Sequence, residues 1–315
     1  MKIYDFSQRL SMDRNSLPDS GIGSGELFIL CSAREVPELQ RVFGWDESTV
    51  LDCADLDESV RYTGYDGYDF VSLVHMELAG GGLLLREINL YISSRYLVLV
   101  APEHDSPRLR AMETAICSAP ESAAEKGAGL GRLYFLIFHQ LLADFSDMLE
   151  EAEDMMEALA EAITESAAQE QLAEIGRLRK ITYTAKKQLR SLSYIGAQIL
   201  IDENGIIDKK LSRYFRSIDT RLKKLYDFAE SLYELGNELL HTYDSRLTIK
   251  MTDTVNKLTL LTLFFGPLTV ITGIYGMNFR LMPELDWPYG YPLAICLMAA
   301  VTLILYRVLK LKKWL

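Results

Sequence analysis

The chain has 315 residues and carries 33 Lys and Arg against 44 Asp and Glu, a net charge of −11. This acidic balance disfavours a nucleic-acid-binding protein, because affinity for a phosphate backbone needs clustered basic side chains. With 49% hydrophobic residues, the chain can bury a core and is not of the disordered class. The cysteines form no C-x-x-C pair, which predicts buried, reduced thiols at Cys31, Cys53, Cys117 and Cys296.

The first 129 residues alternate strand-like and helix-like patterns. Their start lacks the apolar stretch of a signal peptide, so we expect it to stay in the cytosol. Gly80-Gly81-Gly82 is typical of the turn of a hairpin between two strands. We predict a cytosolic α/β domain over 1–129, with helices at 35–43 and 106–118 and strands at 27–32, 50–54, 70–78, 83–90 and 95–101.

Residues 130–203 are predicted to form a helical hairpin, acidic first and basic afterwards, with one helix or two at 130–166 and another at 169–201. The segment 144–174 contains 11 acidic residues and no basic one, whereas 177–224 contains 13 basic residues and 4 acidic ones. Two interpretations remain open. Either a solvated acidic helix leans on a basic one, or an acidic surface concentrates cations near a membrane pore.

One helix is predicted to run from 208 to 275, with 204–257 as its stalk. Apolar or small residues of the stalk recur in alternating steps of four and three, and we call this set the seam: Ile218, Leu222, Leu225, Ala229, Leu232, Gly236, Leu239 and Tyr243. A strict 3.5-residue period favours parallel self-association over an ordinary core helix.

Near the end of the chain, 258–279 and 287–306 contain no charged residue. Each is long enough to cross a bilayer. We therefore predict transmembrane spans at 258–279 and 287–309, an external loop at 280–286 and a basic tail at 310–315. Basic residues flank the outer ends of both spans, which places both termini in the cytoplasm. Glu284 and Asp286 in the loop would raise the cation concentration at the external surface.

The first span has one face of small or hydroxylated residues with a single Val. We call this set the stripe: Thr252, Val255, Thr259, Thr262, Gly266, Thr269 and Gly273. The opposite face holds Leu260, Phe264, Leu268 and Ile271, which suit lipid or the second span. A stripe of this kind indicates either close helix packing or, in several copies, the wall of a polar pore. The stripe is expected to continue the phase of the seam, which favours the pore.

The stripe leads into Tyr275-Gly276-Met277-Asn278-Phe279, followed by Met282-Pro283-Glu284-Leu285, Gly290-Tyr291-Pro292 and a basic end with Lys312 and Lys313. These motifs, in this order, resemble the CorA family of divalent-cation transporters. The resemblance is close from about 214 to the end of the chain and architectural before that. It implies a homopentamer in the cell (inner) membrane, with a cytosolic α/β funnel, a pore-lining stalk helix and a basic collar at the pore mouth.

Magnesium fits these residues. Because Mg²⁺ gives up its water shell reluctantly, neutral oxygens suit a filter that binds the hydrated ion. Asn278 offers a side-chain carbonyl and Gly276 a backbone carbonyl, so we expect Gly276, Met277 and Asn278 to form the selectivity filter. The sequence shows no phosphate-binding loop and no catalytic constellation, so we expect a transporter driven by the membrane potential, without a cofactor. Transport of Zn²⁺, Co²⁺ or Ni²⁺, and a membrane-anchored scaffold, remain alternatives, as does proton coupling.

Regulation is expected to depart from the family pattern. The resemblance implies a Mg²⁺-sensing carboxylate just after a Tyr-Phe-Arg-like stretch, but here Ser217 occupies that position. Glu77 is the one carboxylate beside the glycine turn and is the possible regulatory ligand. We predict weaker closure by cytosolic Mg²⁺, or a sensor moved to 144–174. Of the histidines, His75, His104 and His139 are expected to pack or be exposed, whereas His241 lies close to the seam and could ring the pore.

Overall fold

The computed structural model describes residues 1–5, 10–13, 26–54, 60–101, 114, 129–202, 204–207, 210–278, 282 and 287–312. The chain forms two compact units, Met1–Thr242 and Tyr243–Leu315. The first contains a mixed sheet and long helices, and the second contains the two apolar helices. The predicted helix at 106–118 lies outside the described residues, apart from helical Thr114.

The sheet has seven strands in the order β2-β1-β3-β7-β6-β5-β4. Their bounds are β1 Lys2–Asp5, β2 Leu10–Asp13, β3 Leu27–Cys31, β4 Arg61–Tyr65, β5 Tyr68–Ala79, β6 Gly82–Ile92 and β7 Tyr96–Val100. Among these described strands, β3 and β7 pair in parallel and the other neighbours pair antiparallel. The predicted glycine turn is confirmed, since Gly80 and Gly81 have φ of 58° and 80° between β5 and β6, a conformation that suits glycine.

The helices that follow the sheet are long. The bounds of the helices are α1 Val36–Phe43, α2 Glu47–Ala54, α3 Gly129–Glu165, α4 Gln169–Ile201, α5 Ser212–Tyr275 and α6 Gly290–Leu311. The predicted helices at 130–166 and 169–201 are confirmed. The long helix begins four residues later than expected and ends at Tyr275, and the second apolar helix begins at Gly290 rather than at 287.

Helices cover both faces of the sheet. On one face, Trp45 stacks on Tyr91 with ring centroids 3.7 Å apart, in a core that includes Val36 and Leu39 of α1. On the other face, the buried side chain of His75 in β5 meets Asp144 of α3, with 3.2 Å between Nε2 and Oδ2. His75 is therefore a packing residue, as expected.

The strand predicted at 50–54 is wrong, because this segment belongs to α2. Asp46 starts the helix, since its Oδ1 accepts hydrogen bonds from the backbone N–H and the hydroxyl of Ser48. An Asp just before a helix satisfies free backbone N–H groups, and here this local effect outweighs the strand preference of Thr49 and Val50. Three short strands were not predicted: β1, β2 and β4.

The cysteines match expectation only in part. Cys31 and Cys53 are buried, and burial raises the pKa of the Cys53 thiol to about 12, which makes it unreactive at neutral pH. Cys296 is exposed on α6, contrary to the prediction of a buried thiol. Cys117 lies outside the described residues.

The seam is not free for self-association, which corrects the interpretation drawn from its period. All eight seam residues are buried within the single chain. Leu222 approaches Gly196 of α4 so closely that a Cβ there would lie 2.9 Å from Leu222 Cδ1. Gly236 lies against Arg179 of α4 and Met156 of α3. The 3.5-residue period therefore reflects packing of α5 on helices of its own chain, antiparallel to α4 and parallel to α3.

Candidate functional site

The second half of α5 differs from the first because its apolar residues are uncovered. In its most apolar stretch, no residue is buried within the chain. Both α5 and α6 are long and apolar enough to cross a membrane. A soluble core helix would bury such residues, so their exposure indicates that lipid or other copies of the chain surround them.

Every stripe residue from Thr252 to Gly273 is exposed. The opposite face behaves differently, because Leu260, Phe264, Leu268 and Ile271 are all half-buried. Ile271 lines a cavity that it shares with Ala294 of α6. The structure thus separates the two faces of the first span as the spacing predicted, with the second span on the apolar side.

The stripe threonines orient their hydroxyl groups in the same way. Each donates its hydrogen to the carbonyl oxygen four residues earlier in the helix, at 2.8–2.9 Å, and the donors are Thr252, Thr259, Thr262 and Thr269. A hydroxyl used in this way keeps its oxygen lone pairs as acceptors. The stripe therefore presents a ladder of hydrogen-bond acceptors without any charge.

The stripe does not continue the phase of the seam, and that expectation is wrong. Thr252 follows Tyr243 by nine residues, about 2.5 turns of an α-helix, so the two lie on opposite faces. Tyr243 is buried whereas Thr252 is exposed. Seam and stripe are two separate patterns on one helix, each with its own surroundings.

The helix α5 ends where the predicted filter begins. Gly276 N–H donates to the carbonyl of Thr272 at 2.9 Å, and Met277 N–H donates to Ile274 at 3.2 Å, which tightens the last turn. Asn278 follows outside the helix and is exposed. The amide side chain and the carbonyls of a helix end supply neutral oxygen acceptors next to the last residues of the stripe.

Two other groups of predicted site residues do not belong to the stripe or the filter. Glu284 and Asp286 lie outside the described residues. Glu77 is buried in β5, with its Oε1 3.5 Å from Nε of Arg86, so its charge is already balanced. Among the described residues, no three His, Cys, Asp or Glu side chains are grouped so as to hold a metal ion. A regulatory role for Glu77 stays a prediction.

Ser217 and Asp219, which follow Tyr214, lie on different sides of α5, as their spacing predicted. Ser217 is exposed, whereas Asp219 is buried and its Oδ2 accepts a hydrogen bond from Lys223 at 2.7 Å. Asp219 therefore does not replace a carboxylate at position 217. His241 is exposed on α5, although the seam residues on either side of it are buried.

The family model described as "CorA-like Mg2+ transporter protein" matches residues 30–312, which is nearly the whole chain. The chain belongs to this family of membrane transporters, as the motifs after the first span indicated.

Two curated relatives are informative. The chain is 30% identical over 183 residues to the "Cobalt/magnesium transport protein CorA" of Thermotoga maritima, a match that covers 58% of this chain and 52% of that protein. The matched part thus spans about half the length of this relative. The chain is also 25% identical over 269 residues to the "Putative metal ion transporter YfjQ" of Bacillus subtilis, covering 85% of this chain and 82% of the relative.

Solved structures share the fold over the full length. The CorA magnesium transporter from Methanocaldococcus jannaschii superposes with a TM-score of 0.83 at 20% identity, covering 100% of this chain and 98% of that one. The full-length CmaX protein gives a TM-score of 0.72 at 18% identity, covering 99% and 97%. The predicted fold class, an α/β domain followed by long helices and two apolar C-terminal helices, is confirmed.

Proposed function

We propose that this chain is one subunit of a homopentamer that carries divalent cations, Mg²⁺ first among them, into the cytoplasm. The stripe of α5 lines the pore, and Gly276, Met277 and Asn278 form the selectivity filter. The observation that carries the proposal is an uncharged, exposed acceptor ladder that leads to an exposed amide at the end of the same helix. A single helix cannot enclose water, whereas a ring of such helices can.

The chemistry of the stripe suits a hydrated ion. The water shell of Mg²⁺ directs its hydrogens outward, and the ion releases these waters reluctantly. Because the threonine hydroxyls donate to their own helix, their oxygens are left to accept hydrogen bonds from this shell. Neutral oxygens hold the ion weakly enough to release it, as conduction requires. A filter for a soft metal would use Cys or His, and the stripe contains neither.

Location and partners follow from the same proposal. α5 and α6 cross the cell (inner) membrane, both termini lie in the cytoplasm, and the loop at 280–286 with Glu284 and Asp286 faces outward. The chain is divided into an α/β domain at 1–129, a helical hairpin at 130–203, a stalk at 204–257 and a basic tail at 310–315. Mg²⁺ is the cargo, no resident cofactor is required, and the membrane potential drives entry.

The test is uptake of Mg²⁺, Co²⁺, Ni²⁺ and Zn²⁺ into proteoliposomes by Asn278→Ala. We expect uptake of the preferred cation to fall at least ten-fold, because the ring of amide oxygens is lost, while the assembled mass in mild detergent stays that of a pentamer. Tyr289→Ala, an exposed position at the start of α6, is the control and should retain uptake. Unchanged uptake by correctly assembled Asn278→Ala would sink the filter assignment.

A further inference from the structure

A cavity of about 630 Å³ lies between the end of α5 and the start of α6. Its size falls in the range that holds a small organic ligand. Small residues make room for it, namely Gly276, which directly follows α5, and Gly290 and Ala294 of α6. None of the described residues that line it carries a charge, so the cavity suits neither an ion nor a charged peptide.

The polar groups at the cavity lie on amphipathic side chains. Tyr275, Trp287 and Tyr291 contribute to the lining, and Tyr and Trp are the residues that favour the boundary between hydrocarbon and water. Thr272 adds one neutral hydroxyl, which donates its hydrogen to the carbonyls of Leu268 and Thr269. The lining is therefore uncharged and mainly apolar, and it includes three aromatic side chains.

Most of the α5 wall of the cavity faces away from the stripe. Ile271 lies two residues from both Thr269 and Gly273, about 160° around the helix, and Tyr275 is on the same far side. When the stripe of each copy faces the pore, this wall therefore faces away from the pore and toward α6. Gly276 alone brings the cavity to the edge of the proposed filter.

We propose that the cavity holds an acyl chain of a bilayer phospholipid, which packs behind the Gly276 end of α5. This inference rests on the placement of both apolar helices in the bilayer made under the proposed function. The hydrocarbon that surrounds the two spans matches the uncharged lining, and the Tyr and Trp side chains of the lining suit the depth at which an acyl chain meets its headgroup. The bound chain supports the last turn of α5, on which Gly276, Met277 and Asn278 depend for their position.

Trp287 offers a direct reporter, since it lines the cavity. The chain has three tryptophans. Trp314→Phe removes one, and Trp45 is only 3% exposed, so it cannot touch a lipid chain. The assembled protein with Trp314→Phe is reconstituted into phosphatidylcholine vesicles with plain or mid-chain brominated acyl chains, because bromine quenches indole fluorescence on contact.

Ala294→Phe fills the cavity, and we expect it to reduce the bromine quenching at least two-fold. Ala294→Leu fills part of it and should give an intermediate loss, which keeps the test valid if the larger variant fails to assemble. Ala300→Phe is the matched control, since Ala300 is exposed on the same helix outside the lining, and it should quench as the parent does.

Equal quenching in all four proteins would overturn the inference, because the bromine would then reach Trp287 only from the surrounding lipid. Absence of quenching in the parent would overturn it as well. The assay does not measure transport. If Asn278→Ala leaves uptake unchanged while Ala294→Phe still lowers quenching, the filter assignment fails and the lipid site stands.

Discussion

The two halves of α5 carry almost the same spacing and have opposite surroundings. Ile218 to Tyr243 and Thr252 to Gly273 both recur in steps of three and four, yet the first set is buried and the second is exposed. Helical spacing tells which residues share a face, but it does not tell what covers that face. The residue types of the two sets also differ, since the first set is mainly aliphatic and the second is mainly threonine and glycine.

The largest expected effect is on stability, and it differs between the two halves of α5. Leu222→Ala should lower the free energy of unfolding of the first unit by about 2–5 kcal/mol, because it leaves a cavity beside α4. Leu261, which is 54% exposed, provides the control, and Leu261→Ala should leave this unfolding transition within about 0.5 kcal/mol. Fluorescence of Trp45, buried in the first unit, reports the transition. Equal effects of the two variants would mean that the seam is not packed within the chain.

Replacing a glycine by alanine should also have different effects in the two halves of α5. A Cβ on Gly236 would lie 2.8 Å from Cγ of Arg179, so Gly236→Ala should destabilise the first unit by about 1–3 kcal/mol through overpacking. At Gly266 no atom of the residues that the structure describes lies within 4 Å of the added Cβ. Gly266→Ala should therefore keep the stability of the protein while it lowers Mg²⁺ uptake several-fold, because five methyl groups would narrow the proposed pentameric pore.

Stability against denaturant and uptake by proteoliposomes, measured on both glycine variants, check this prediction. A loss of stability in Gly266→Ala, or normal uptake, would show that this glycine serves helix packing rather than the pore.

Substitution of a stripe threonine should have a smaller effect, and only on transport. Thr262→Val removes one acceptor from the stripe and should reduce Mg²⁺ uptake about two- to five-fold, roughly 0.4–1 kcal/mol. Thr254 is the matched control, because it is exposed and donates to its own helix at 2.9 Å but lies outside the stripe. Initial rates of uptake by Thr254→Val should equal those of the parent. Equal loss in both variants would argue against a pore along the stripe.

The smallest effect concerns an ion pair between α4 and α5. Lys186 donates to Glu230 at 2.8 Å, and this hydrogen bond raises the pKa of Lys186 above its ordinary value. The stabilisation is therefore complete below that ordinary value and is lost as pH rises through the raised one. Glu230→Gln should lower Tm slightly at pH 8, and the difference should vanish in strongly alkaline buffer. A pH-independent difference would point to packing rather than charge.

Much of this architecture follows from local patterns. The glycine turn, the helices α3 and α4, the end of α5 at Tyr275 and the two faces of the first span could all be predicted, because each depends on residues close in sequence. The helix α2 could not, since the cap at Asp46 outweighed a strand-like composition. The surroundings of the seam were also misjudged, because the partner residues Gly196 and Met156 lie in distant segments that periodicity does not reveal.

Asn278 and Glu77 also show that local sequence predicts a site better than it predicts contacts between distant segments. Asn278 stood out because its motif directly follows an apolar span, and the structure leaves it exposed at the helix end. The pairing of Glu77 with Arg86 across β5 and β6 depends on strand register, which the sequence did not specify. Its balanced charge agrees with the expectation of weak regulation by cytosolic Mg²⁺, which remains a prediction.

The central claim is that the stripe, and not the rest of α5, lines an aqueous path. It is tested most directly by single cysteines at 261, 262, 265 and 266 in a background without Cys117 and Cys296, treated in proteoliposomes with a charged thiol reagent. We predict that Thr262→Cys and Gly266→Cys react and that Mg²⁺ slows them, whereas Leu261→Cys and Phe265→Cys stay unmodified in the hydrocarbon. Modification of Leu261→Cys and Phe265→Cys with the stripe positions protected, or equal modification of all four, would contradict the account.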